Sequence, residues 1–143
     1  MGTRSRIALQ LDGDNLVSVY CHWDGYPTFN GKILRQYFNT RDKVTELIDG
    51  GDISSLWSDS TWDLKESRPN QTLYYSERGE DCPPKLHDNF DDLLSFAEEF
   101  TYVFVNNQWE CYSHQGVTTK VEIPSGNLYN SDGTAVSDEL IAA

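Results

Sequence analysis

Tyr20-Cys21-His22-Trp23-Asp24-Gly25-Tyr26-Pro27 is the stretch on which the fold is decided. A thiol, an imidazole, an indole, a carboxylate and two phenols fall between Tyr20 and Tyr26, and Pro27 closes the run. Before it, apolar residues alternate; after it, they recur at helical spacing. The stretch therefore ends a strand and forms the turn that launches a helix, the kind of position where a small α+β domain carries functional side chains.

Upstream, Ile7, Leu9 and Leu11 alternate with Arg6, Ala8 and Gln10, and Val17, Val19, Cys21 and Trp23 alternate with Ser18, Tyr20 and His22. Asp12-Gly13-Asp14-Asn15 is a turn cluster between them, which predicts a hairpin. Matching the apolar faces sets Leu11 opposite Val17, Leu9 opposite Val19 and Ile7 opposite Cys21, around a three-residue loop with Asn15 left-handed. The other face then pairs Arg6 with His22, Ala8 with Tyr20 and Arg4 with Asp24. Cys21 and Trp23 share the core parity, so a ligand role for Trp23 requires the strand to end before it.

Downstream, Ile33, Leu34, Tyr37 and Phe38 predict a helix over 29–39. Val44, Leu47 and Ile48 predict a second, capped by Asn39 or Thr40 and ended by Gly50-Gly51. Ile53, Leu56, Trp57 and Trp62 suggest a short turn with an aromatic anchor. Thr72 to Ser76 reads as a strand and Glu77 to Lys85 as a loop. A third helix starts at Asp88 or Asn89 and turns Phe90, Leu93, Leu94 and Phe96-Ala97 inward, with Asp91 and Asp92 favoured in its first turn by the helix dipole. Asn106-Asn107 predicts a two-residue hairpin pairing Phe104 with Trp109 and Tyr102 with Cys111; the opposite face, Val103 with Glu110, is expected to be partly exposed. Lys120 to Ile123 adds a strand. The expected fold is α+β: an antiparallel sheet built from two hairpins plus added strands, packed against about three short helices. It forms a single domain over residues 1–123, followed by an acidic tail at 124–143.

The net charge is -12, with 23 acids against 11 Lys and Arg. Residues 1–51 hold six of each, so the excess of acid lies in the remainder. This sign disfavours direct nucleic-acid contact and anionic membrane, and only the N-terminal third offers an anion a favourable field. No apolar run is long enough to span a bilayer, and the N-terminus leads straight into a strand, so a cytoplasmic protein is expected. Three widely spaced cysteines, Cys21, Cys82 and Cys111, indicate neither a disulfide framework nor a zinc knuckle.

The richest constellation is the polar face Arg4, Arg6, Tyr20, His22 and Asp24. Paired guanidiniums beside an imidazole and a phenol suit a phosphate or carboxylate, because Arg presents a planar donor fork. Trp23 and Tyr26 suit stacking on a ring. The competing reading is a solvated sheet face with Arg4 paired to Asp24 and Arg6 stacked on Tyr20. Metal binding by His22 and Asp24, with His87, Asp88 or His114, lacks any supporting spacing. Cys21 with His87 or His114 as a catalytic pair is disfavoured by the core parity of Cys21. Arg78, in Glu77-Arg78-Gly79-Glu80-Asp81, is a candidate to close over a ligand, against the simpler reading of a charged turn. Acids along the helices and loops suit mimicry of a phosphate backbone, against the simpler role of keeping the chain soluble.

Met1-Gly2-Thr3-Arg4-Ser5-Arg6-Ile7-Ala8, together with Cys21-His22-Trp23-Asp24-Gly25-Tyr26-Pro27, resembles an uncharacterised family of small bacteriophage-encoded proteins. Gly31-Lys32-Ile33-Leu34, Gly51 to Leu56, Arg78-Gly79 and a late hairpin carrying Trp109 are similar to it too, so the resemblance covers residues 1–113. It brings no catalytic residues. It implies a phage accessory protein made in the host cytoplasm, of a kind that often counters host defence. The leading expectation is a binding protein, without a cofactor and leaning away from catalysis, that captures an anionic nucleotide-like small molecule through Arg4, Arg6, Tyr20, His22, Trp23, Asp24, Tyr26 and Arg78. Sites of this kind often lie between protomers, which points to a homo-oligomer. The alternatives are an acidic inhibitor that mimics nucleic acid and binds a host defence protein, and a small hydrolase using His22 and Asp24.

Overall fold

Strand β1 (Ser5–Gln10) returns as β2 (Leu16–Cys21) and seeds the sheet of the computed structural model, which describes residues 3–23, 25–58, 71–114 and 116–123. After β2 a π-helical turn, Pro27–Gly31, runs directly into helix α1 (Lys32–Tyr37), and α2 (Arg41–Asp49) follows. Strands β3 (Ile53–Ser58) and β4 (Gln71–Tyr74), a 3-10 turn at Tyr75–Arg78 and the short β5 (Lys85–His87) come next. Helix α3 (Phe90–Leu94) precedes the hairpin of β6 (Phe100–Val105) and β7 (Gln108–Ser113), and β8 (Thr119–Val121) ends the described chain. No helix among the described residues is long and apolar enough to cross a membrane. Residues 124–143, read as an acidic tail, lie outside the described residues.

The fold is α+β. The strands run β4-β3-β2-β1-β6-β7-β8, with β5 beside β2. Both expected hairpins are antiparallel, and the sheet joining them is mixed: β1 and β6 run parallel, as do β2 and β3. The parallel β1–β6 pair puts the two hairpins side by side, with the chain between them supplying the helices. β2 has two partners on one edge, since Cys21 meets Ile53 of β3 while Leu16 to Ser18 pair with β5.

The second hairpin matches its expectation pair for pair, and Asn106 and Asn107 both adopt positive φ, at 54° and 62°. The first is slid by two residues: Leu9 faces Val17, Ile7 faces Val19 and Ser5 faces Cys21. The loop is longer than expected, Leu11 N–H donates to Asn15 O at 2.8 Å, and Gly13 rather than Asn15 takes the positive φ. A two-residue slip keeps every side chain on its face, so the apolar pattern permits both registers and the loop chooses. The polar pairs change as a result, to Arg6 with Tyr20 and Ala8 with Ser18.

One face of the sheet buries Ile7, Leu9, Val19, Cys21, Tyr102, Phe104 and Cys111 under Ile33 and Leu34 of α1 and Val44, Leu47 and Ile48 of α2. Thr40 Oγ1 caps α2 by accepting from Lys43 N–H. The other face is also covered. Ala8, Leu16 and Val103 pack with Leu93 of α3, so Val103 is buried rather than partly exposed. Asn89 caps α3 by accepting from Asp92 N–H. Ile53 and Leu56 lie in β3 rather than in a turn, because that segment has β2 to pair with. Trp62 lies outside the described residues, as does the side chain of Trp57.

Candidate functional site

β2 ends at Cys21, and its backbone pairing continues along β3: His22 N–H donates to Ile53 O and Trp23 N–H to Ser54 O, each at 3.0 Å. The chain then turns across the start of β1, where Gly25 N–H donates to Thr3 O at 2.7 Å. A Cβ on Gly25 would lie 2.8 Å from Thr3 O, so only glycine permits that approach. Tyr26 follows with its ring tilted against Phe29. Because the strand stops before Trp23, its indole leaves the core parity and is 42% exposed. Cys21 remains in the core, where Asn30 Nδ2 donates to its sulfur and burial pushes the thiol up to about 12. A thiol so held is packing, not a nucleophile.

Tyr20 Oη and His22 Nδ1 lie 2.6 Å apart, and Trp23 sets its ring edge-on to His22 at 4.7 Å between centroids. Burial, first of all, pushes the Tyr20 phenol up to about 12, against the lowering influence of Arg4. The phenol therefore keeps its hydrogen. With that hydrogen given to Nδ1, His22 presents Nε2–H outward as a donor. Arg4 is exposed, and its side chain has no hydrogen-bond or ion-pair partner among the described residues. Tyr20, His22 and Trp23 are thus in contact, with Arg4 acting on Tyr20, while Tyr26 is exposed against Phe29. Asp24 lies outside the described residues, as does the side chain of Arg78, so neither is placed in it.

Arg6 is not the open anion hook expected of it. It is only 7% exposed, and its Nε donates to Phe96 O at 3.1 Å and its Nη1 to Ser18 Oγ at 2.9 Å. The two-residue slip of the hairpin and the cover over this face put it there. Burial lowers its pKa, against the raising influence of Asp52 and Glu98, and among the described residues no carboxylate pairs with it. Among the described residues its Nη2 has no hydrogen-bond partner. A desolvated guanidinium without a contacting anion is costly.

The contact with Ser18 belongs to a chain that the sequence does not reveal. Ser18 Oγ lies 2.6 Å from His87 Nε2, and His87 Nδ1 lies 2.9 Å from Asp92 Oδ2. Arginine only donates and carboxylate only accepts, so with a neutral His87 ring the direction runs Arg6 to Ser18, Ser18 to His87, His87 to Asp92. Ser18 is 0% exposed and His87 2%. The parity of Ser18 with Arg6 and Tyr20 is visible in the sequence. The approach of His87 is not, because a three-residue strand behind Pro83-Pro84 has too little alternation to read.

His114 lies apart from His22 and His87, between Thr101 Oγ1 at 2.7 Å and Thr118 Oγ1 at 3.1 Å. No group of three or more metal-ligating side chains gathers among the described residues. A cleft of ≈ 450 Å³ between α1 and β8 includes Arg35 and Lys120, but Arg35 donates to Ile123 O and Lys120 pairs with Glu110, so its cations are engaged. No family model, curated protein or solved structure matches the chain.

Proposed function

We propose that this chain is a binding protein that captures an anionic, ring-bearing small molecule of the nucleotide kind, as a phage accessory protein acting against a host defence. The observation that carries this reading is the 2.6 Å contact of Tyr20 Oη with His22 Nδ1, beside the exposed Trp23 and within the field of the exposed Arg4. Arg4 supplies the charge for an anion and His22 Nε2–H a directed donor. Trp23 and Tyr26 supply the apolar faces on which a base stacks, worth about 1–3 kcal/mol per stacked base. Phosphate plus ring is the chemistry that uses all of these groups at once. The counter-defence role rests on the resemblance of residues 1–113 to phage proteins.

The inhibitor reading has less behind it. Of the acids on α3 and its flanks, Asp92 is bound to His87, which leaves Asp88 and Asp91 as the exposed members. The hydrolase reading built on His22 and Asp24 has His22 Nδ1 engaged by Tyr20.

Thermal-shift titration with cyclic and linear nucleotides, and with inorganic phosphate as the ring-free control, tests capture. The expected result is stabilisation by a nucleotide at micromolar concentration, weakened at least tenfold in Arg4→Ala and in Trp23→Ala, both surface changes; a tenfold loss is about 1.4 kcal/mol. No stabilisation at millimolar nucleotide overturns the reading.

A further inference from the structure

We propose that Ser18, His87 and Asp92 form an occluded acyl-transfer centre for small esters, closed by the ring of Phe96. It does not depend on nucleotide capture.

The argument starts from connectivity. A serine nucleophile needs a base on its hydroxyl and a third group holding that base in one tautomer. Ser18 Oγ to His87 Nε2 at 2.6 Å and His87 Nδ1 to Asp92 Oδ2 at 2.9 Å meet both demands. The three residues come from β2, β5 and the first turn of α3. They meet because β5 runs antiparallel to β2, with Leu16 opposite His87 and Ser18 opposite Lys85. The Asn89 cap then fixes where α3 begins and so where Asp92 points. Arg6 Nη1 donates to Ser18 Oγ at 2.9 Å, which sets a fixed positive charge beside the oxygen on which negative charge develops as its proton leaves.

The chemistry closes. Ser18 Oγ attacks the ester carbonyl carbon while His87 Nε2 takes the hydroxyl proton. The carbon–oxygen bond to the leaving alcohol breaks, and His87 returns the proton to that alcohol. Water, deprotonated by His87, then attacks the acyl-serine and releases the acid, restoring Ser18.

In the closed structure Ser18 is enclosed, and the ring of Phe96 is part of the cover over the centre. Phe96 lies 5.4 Å from the His87 ring, beneath Lys85 Nζ at 4.2 Å and near the Arg6 guanidinium carbon at 5.9 Å. Phe96 is 38% exposed whereas Ser18 is 0% and His87 2%, so its ring is a partly solvated group resting on the enclosed His87. It follows a helix of only five residues and is tied to the sheet through its carbonyl by Arg6 Nε. The ring can therefore swing out while the backbone anchor stays.

The test uses the full chain with an alkyl fluorophosphonate, which forms a phosphorus–oxygen bond to an activated serine and releases fluoride as the base takes the proton. Adducts are read by intact mass and placed by peptide mapping. The expected result is a slow adduct confined to Ser18 in the wild type and a rate at least tenfold higher in Phe96→Ala. His87→Gln lowers the rate by roughly a hundredfold or more, the share expected of a general base. Phe96→Leu replaces Phe96→Ala if the latter does not fold, and the wild type decides if neither does. Absence of a Ser18 adduct in every folded form overturns the proposal, as does an unchanged labelling rate in folded His87→Gln.

Discussion

Arg6 and Ser18 are joined by a 2.9 Å hydrogen bond across the two strands of the first hairpin, with Tyr20, not His22, directly opposite Arg6. This contact draws a cation that alternation alone would expose into a closed polar chain ending on Asp92. Its Nε bond to Phe96 O ties the same guanidinium to the residue pair that follows α3.

Arg6→Lys is expected to destabilise the fold more than Arg6→Met, although lysine preserves the charge. Lysine leaves a buried ammonium that cannot reproduce the fork to Phe96 O and Ser18 Oγ, at a loss of about 3–5 kcal/mol. Methionine also loses those bonds but removes the desolvated charge, so its loss is about 1–2 kcal/mol. Urea unfolding of the three proteins checks the order. The reverse order would show that the charge itself, not the hydrogen-bond geometry, is what this position needs.

The parts of the fold that could be read from the chain are those with local rules. Asn106-Asn107 specifies the tight turn and with it all six pairs of the second hairpin. Thr40, Val44, Leu47 and Gly50 mark the cap, stripe and end of α2. The parallel pairing of β1 with β6 has no local signature, since it joins Ser5 to Phe100 across most of the chain. The same distance hides the site. Tyr20, His22 and Trp23 are neighbours in sequence and in contact in space, whereas Ser18 and His87 are 69 positions apart. Face parity shows which way Arg6 points, but not that α3 and Phe96 cover it.

Thiol reactivity should divide the three cysteines. Burial pushes Cys21 and Cys111 up to about 12, and both are enclosed, whereas Cys82 is partly exposed. A disulfide-exchange reagent at pH 8 is expected to modify Cys82 alone in the native protein, with the other two reacting only after denaturant is added. Native-state reaction of Cys21 at a comparable rate would place it outside the core and undo its assignment as packing.

Gly51 follows the C-terminus of α2 with φ +86°, and a Cβ there would lie 2.3 Å from Cys82 O. The neighbouring Asp52 N–H donates to that same carbonyl at 2.8 Å, so the oxygen cannot retreat without breaking the bond. Gly51→Ala should therefore cost about 2–4 kcal/mol, the sum of positive-φ strain and a backbone clash. Gly13→Ala serves as the contrast: φ is +67° but nothing lies within 4 Å of the added carbon, so about 1 kcal/mol is expected. Equal losses at the two positions in denaturant unfolding would remove the steric part of the argument.

His114 sets a pH dependence whose sign is fixed by burial. Burial lowers its pKa, so between the folded and unfolded values the unfolded chain holds the proton more readily than the folded one. By linkage, stability then rises with pH: the neutral ring between Thr101 and Thr118 is favoured above the unfolded value, and that advantage is lost as pH falls through the ordinary histidine range. The ring is substantially solvated, so the effect is small. His114→Gln should reduce the difference in melting temperature between pH 5 and pH 8 by roughly 1–3 °C relative to the wild type, with the many carboxylates contributing equally to both proteins. A His114→Gln protein whose melting temperature falls just as far on acidification would assign the acid sensitivity to the carboxylates alone.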